Sequence, residues 1–133
     1  MSNKQLVDEA RKVRERAYAP YSRFAVGAAA LTAAGQIFAG CNVENAAYPA
    51  CLCAERVALT SAYAAGEREI VALAVVADSP EPVSPCGVCR QVILELAPHA
   101  TILLANMRGE LLQTTPDALL PGGFTAAALP DQA

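Results

Sequence analysis

The chain has 133 residues, enough for one hydrophobic core and too few for two, so a single domain over 1–133 is expected. Ten Lys and Arg against 13 Asp and Glu leave a formal net charge of -3, and Asp8, Glu9 and Glu15 interrupt the basic residues near the N-terminus, which argues against nucleic acid as a partner. No apolar leader follows the first charged residues and no apolar run is long enough to span a bilayer, so a cytoplasmic protein with no membrane contact is expected.

Ser2 and Gln5 stand at capping-box spacing, and Leu6, Ala10, Val13 and Ala17 follow at steps of four, three and four, predicting an amphipathic helix that Pro20 stops. FAVGAAALT (24–32) and QIFAGCNV (36–43), joined through TAAG, read as a hairpin, and Pro49 ends the loop after it. From Cys53 to Ala65 there is no Gly or Pro, Val57, Ala58 and Tyr63 fall at helical offsets, and Gly66 is the expected stop.

IVALAVVA (70–77) is a continuous apolar run of the kind covered on both faces of a sheet. PCGVCRQVILELA (85–97) predicts a second helix opening on cysteine, ATILLAN and ELLQTT flank the turn MRG, and PDALL (116–120) reads as a short helix. The order implies an α/β fold, three layers α/β/α around a five-stranded mixed sheet. Hydrophobic residues make up 54% of the chain, more than a small monomer needs, which favours self-association.

In a reducing compartment the five cysteines, Cys41, Cys51, Cys53, Cys86 and Cys89, point to metal binding or thiol chemistry rather than to disulfides. Cys86 and Cys89, three apart at a helix start, share one face and can hold one ion, with Cys53 at the other helix start as third ligand. Helix N-termini favour thiolate, and three thiolates on Zn²⁺ leave a fourth position for water. Glu55, two residues beyond Cys53, points away from that shell and is placed to move the water's proton.

Two other readings stand beside this one. A closed Cys₄ shell with Cys51 would make a structural zinc site, the staple of an interaction module without activity, but it leaves Glu55 without a role. CGVC as a redox pair lacks the strand-first βαβ start of that class. His99, after Pro98, reads as an ordinary loop histidine.

A Cys-Ala-Glu run paired with Pro-Cys-x-x-Cys is the arrangement in which zinc nucleobase deaminases hold metal and proton carrier. The blocks YAPYSRFAVGAA, GCNVENAAYPACLCAER, SPCGVCRQV and LLPGGF resemble, in this order, those of the small homotetrameric cytidine deaminases of pyrimidine salvage.

The resemblance implies hydrolysis of cytidine and 2'-deoxycytidine to the uridines and ammonia, with one Zn²⁺ per subunit on Cys53, Cys86 and Cys89 and Glu55 as the catalytic acid and base. It implies Phe24 as a wall of the pyrimidine pocket, Asn42 and Glu44 at the ribose hydroxyls, the Ala54 amide at the pyrimidine carbonyl and the Ser84 carbonyl at the departing amine. Ala47, Tyr48 and Phe124 match residues lent by a neighbouring subunit, so a homotetramer with shared sites is implied. Arg56 is expected to hydrogen-bond Cys53 and Cys86, offsetting the charge of three thiolates, with Gln91 orienting it. A relative that deaminates a modified cytosine nucleoside, of the antibiotic-detoxifying kind, shares CAE and PCxxC and is the alternative substrate reading.

Overall fold

The Ser2 hydroxyl accepts from the Gln5 N–H at 3.1 Å and the Gln5 side chain accepts from the Ser2 N–H at 2.7 Å, closing the capping box that starts helix α1 (Asn3–Arg14). The computed structural model describes residues 1–130. In chain order there follow β1 (Val26–Thr32), β2 (Ile37–Cys41), α2 (Ala54–Ala64), β3 (Ile70–Ala77), α3 (Gly87–Leu96), β4 (Thr101–Asn106), β5 (Leu111–Thr114) and α4 (Pro116–Leu119). The sheet runs β2-β1-β3-β4-β5, with β3 and β4 parallel and the other neighbours antiparallel.

The period of two along the strands assigns the layers. Ala28 and Ala30 of β1, Leu73 and Val75 of β3, and Ile102 and Leu104 of β4 face α2 and α3, packing with Ala58, Leu59 and Ile93. Their neighbours Ala29, Ala74, Val76, Leu103 and Ala105 face the other way, onto Leu6, Val7 and Ala10 of α1. Three α/β/α layers result, as the element order implies.

Small residues let the helices come close. A methyl group on Gly27 would collide with the Ala10 carbonyl of α1, and one on Gly40 with the backbone of Ala54 and Ala58 in α2. Because Cys53 caps α2 and Glu55 lies in its first turn, the close approach at Gly40 sets how deeply they sit.

Most expected boundaries shift by one or two residues, and the largest shift is at the end of α1. The apolar spacing carries α1 to Ala17, yet the helix ends at Arg14. The Tyr18 N–H donates to the Asn42 carbonyl at 2.9 Å and the Tyr18 carbonyl accepts from the Glu44 N–H at 2.8 Å. Tyr18 must be extended to make this bridge, so the chain leaves the helix before it. On the exposed face of α1, Lys4 and Arg11 pair with Asp8, and Lys12 with Glu9, the solvated helix that the mixed charges imply.

Candidate active site and metal centre

Helices α2 and α3 present their N-terminal ends to one cavity of about 600 Å³. Cys53 is the residue before the first turn of α2, and Cys86 holds the same position on α3. Their sulfurs lie 3.9 Å apart, and with Cys89, one turn into α3, the three Sγ atoms fall within 4.8 Å of one another. Cys53 and Cys86 line the cavity, while Cys89 is 0% exposed behind them.

The electrostatics of the trio are those of a cation site. The Cys53 thiol is pulled down to about 5, first by its hydrogen bond with Cys89 and then by Arg56, against the opposing effect of burial. Cys89 is pushed up by that same bond to Cys53 and by burial. One sulfur is therefore readily anionic, and the others resist adding like charge to it. A soft divalent cation among them removes that repulsion and favours all three thiolates, so the donor set fits zinc.

Cys51 is not a member of this shell. Its sulfur accepts from the Asn45 N–H at 3.2 Å and faces the Asn45 carbonyl at 3.5 Å, and among the described residues only the other three group as ligands. The closed four-cysteine reading has no fourth sulfur in place.

Glu55, in the first turn of α2, is 5% exposed and reaches the cavity. Burial pushes its carboxyl up to about 7, the Cys53 thiolate adding to the effect and Arg56 opposing it. A carboxyl poised near neutrality both takes and gives protons at low cost. The first turn also leaves the Ala54 N–H without an acceptor inside the helix, and Ala54 lines the cavity.

Residues 1–105 match the family described as the cytidine and deoxycytidylate deaminase zinc-binding region. The chain belongs to this family. It is 51% identical over 132 residues, 98% of this chain and all of the relative, to a cytidine deaminase of Halalkalibacterium halodurans. The crystal structure of cytidine deaminase from Burkholderia pseudomallei superposes with a TM-score of 0.91 at 51% identity, covering 93% of this chain and 100% of that one. A blasticidin-S deaminase of Bacillus cereus is 33% identical over 108 residues, covering 75% of this chain and 76% of the relative.

The remaining expected residues divide into those lining the cavity and those outside it. Phe24, Asn42, Glu44, Tyr48 and Ser84 line it with Ala54, Glu55 and Arg56. Tyr48, expected to serve a neighbour's site, stands on the lining of its own chain's cavity at 69% exposure, edge-on to Tyr21 with ring centroids 5.8 Å apart. Ala47 and Phe124 lie outside the lining, Phe124 at 58% exposure.

Two expectations about Arg56 are corrected. Its Nη2 donates to the Cys51 carbonyl at 2.8 Å and approaches the Cys53 sulfur at 3.8 Å, while Cys86 receives no bond from it. Gln91 does not orient it, because the Gln91 side chain donates to the Phe124 carbonyl at 2.9 Å. Arg56 is anchored by the backbone just before the first ligand.

Sequence reasoning missed Arg90. Its Nε donates to the Pro85 carbonyl at 2.8 Å, Nη1 to the Leu119 carbonyl at 2.7 Å and Nη2 to the Ser84 hydroxyl at 2.5 Å. This guanidinium ties the loop before Cys86 to the end of α4. An arginine directly after a ligand cysteine was the only signal in the sequence.

Proposed function

We propose that the chain deaminates cytidine and 2'-deoxycytidine hydrolytically, releasing ammonia and the corresponding uridine. One observation carries this reading above the others: a buried carboxyl with a raised proton affinity shares the first turn of α2 with the end of a three-sulfur metal cluster. A staple needs the sulfurs but not the carboxyl.

Cys53, Cys86 and Cys89 would hold the zinc ion, which when bound supplies a Lewis acid that makes a coordinated water acidic near neutral pH. Glu55 accepts a proton from the attacking water and delivers it to the pyrimidine N3 as oxygen adds at C4. It then takes the proton of the new C4 hydroxyl and gives it to the exocyclic amine; the C4–N bond breaks, ammonia departs and the oxygen stays on C4 as a carbonyl. The Ala54 N–H meets the pyrimidine carbonyl, the Ser84 carbonyl faces the departing amine, and Phe24 packs on the base. Arg56 positions the Cys53 sulfur from its anchor on Cys51.

Asn42 and Glu44 receive the sugar. Both spend part of their hydrogen-bonding capacity within the chain: the Asn42 carboxamide accepts from Val26 N–H and donates to the Phe24 carbonyl, each at 2.8 Å. One lone pair and one N–H remain for a sugar hydroxyl. Asn42, which is buried, would reject a bare base by being left unpaired.

The exposed rings of Tyr48 and Phe124, with Leu111 and Leu112 bare on edge strand β5, support a homotetramer in which Ala47, Tyr48 and Phe124 also serve a neighbouring site. No helix among the described residues is long and apolar enough to cross a membrane, and reduced thiols suit a cytoplasmic location.

The test is Glu55→Gln. Turnover of cytidine, followed by ultraviolet absorbance, falls by on the order of 10² to 10⁴ while bound zinc is unchanged. Retained turnover, or wild-type protein without zinc, overturns the reading. The 33% identity to a blasticidin-S deaminase favours a second substrate class enough to put that nucleoside in the same assay, where cytidine is expected to be preferred.

A further inference from the structure

The loop before β1 holds a hydrogen-bonded chain that no metal ligand or proton carrier uses. Glu44 Oε1 accepts from the backbone N–H of Tyr21 at 2.9 Å and of Ser22 at 3.1 Å, and Oε2 accepts from the Ser22 hydroxyl. The Ser22 oxygen in turn accepts from the Phe24 N–H at 3.1 Å. Between them Arg23 has φ +57°, the left-handed region in which a non-glycine residue is uncommon. Ser22, Phe24 and Glu44 all line the cavity.

Two features make this more than loop packing. Arg23 holds a left-handed conformation between Ser22 and Phe24, which both line the cavity, and strained backbone persists only where its surroundings hold it in place. Here the carboxylate does so from one side and the bridge between Tyr18 and Val43 from the other. Counting acceptors is also informative. A carboxylate offers roughly four lone-pair sites. Tyr21 and Ser22 occupy three of them. One is left, so Glu44 has room for a single sugar hydroxyl, in a direction that the Ser22 hydroxyl fixes.

We propose that Ser22 is a specificity-determining positioning residue: its hydroxyl aims the Glu44 carboxylate at one sugar hydroxyl of the nucleoside. This rests on the reading that Glu44 receives the sugar. Ser22 acts on the substrate through Glu44 rather than by itself. The hydroxyl that Glu44 reads is bound in ground and transition states alike, so its loss raises KM and leaves kcat.

The experiment measures kcat and KM of the zinc-loaded protein on cytidine, 2'-deoxycytidine and 3'-deoxycytidine for wild type, Ser22→Ala, Ser22→Thr and Glu44→Gln. Glu44→Gln identifies the hydroxyl it reads, as the deoxy analogue whose kcat/KM it spares. Ser22→Ala is expected to raise KM by about threefold to thirtyfold for the substrates that carry that hydroxyl, to spare the analogue that lacks it, and to hold kcat within about twofold. Ser22→Thr restores the hydroxyl and the KM.

A loss in Ser22→Ala that is equal on all three substrates, or none, overturns the assignment of Ser22 while leaving that of Glu44 intact. A Glu44→Gln variant that weakens all three equally refutes the reading of Glu44 itself, and the role of Ser22 falls with it. Should Ser22→Ala fail to fold, the comparison rests on Ser22→Thr, whose added methyl must leave the selectivity pattern at wild type; a changed pattern with Glu44→Gln still selective also overturns it.

Discussion

Cys53 and Cys86, 33 positions apart in sequence, bring their sulfurs to 3.9 Å because each is the residue just before the first turn of its own helix. Two positive helix ends thus converge on one point, where they favour anions. Cys51, only two residues from Cys53, is held on Asn45 instead. Purified Cys51→Ala is therefore expected to keep about one zinc per chain, whereas Cys53→Ala and Cys86→Ala lose it. Metal analysis after gel filtration decides this, and a Cys51→Ala protein without zinc would restore the four-cysteine shell.

Arg56 reaches the cluster through the Cys51 carbonyl and the Cys53 sulfur, and its Nε is buried without a hydrogen-bond partner among the described residues. The unpaired N–H is an unspent donor beside sulfurs whose electron density grows when they bind metal. Arg56→Ala is expected to keep the fold, weaken zinc by about 10- to 100-fold and lower turnover. Competition against a chelator, read beside circular dichroism and kcat, checks it; unchanged zinc affinity and kcat remove Arg56 from the mechanism.

Much of this was legible in the sequence, for identifiable reasons. Helix starts were readable because the capping box at Ser2 and the cysteines at the heads of α2 and α3 are local signals, and IVALAVVA matches β3 residue for residue. The ligand trio followed from spacing and chemistry alone. What escaped depends on contacts between distant segments. The Gln91 amide sits on the Phe124 carbonyl rather than near Arg56, α1 yields three residues early to the Tyr18 bridge, and the left-handed Arg23 carries no glycine to announce it. No local pattern encodes where a long side chain finds its acceptor.

The buried Glu55 carboxyl makes the stability of the metal-free protein pH-dependent. Burial raises its pKa in the folded state from 4.5 to about 7. Below pH 4.5 both states hold the proton and the group costs nothing. Between about 4.5 and 7 the unfolded chain releases the proton while the folded chain keeps it, so stability falls as pH rises and levels off above 7. The cost at pH 8 is on the order of a few kcal/mol, since each unit is about 1.4 kcal/mol. Glu55→Gln removes it. In urea titrations of zinc-stripped protein the variant is expected to gain on wild type from pH 5 to pH 8; a gap independent of pH refutes the assignment.

Arg90 holds three acceptors on two segments, Ser84 and Pro85 ahead of Cys86 and Leu119 at the end of α4. No other side chain among the described residues bonds both. Truncating it leaves two backbone carbonyls without their charged donor, a loss of about 1–3 kcal/mol. It also frees the loop that carries Ser84 into the cavity. Lysine restores the charge but not the fork that reaches three acceptors at fixed angles. Arg90→Ala and Arg90→Lys are therefore both expected to lower the urea midpoint and kcat, with lysine recovering only part of each. If lysine matched the wild type on both measures, charge alone would account for Arg90 and the three-point tie would be incidental.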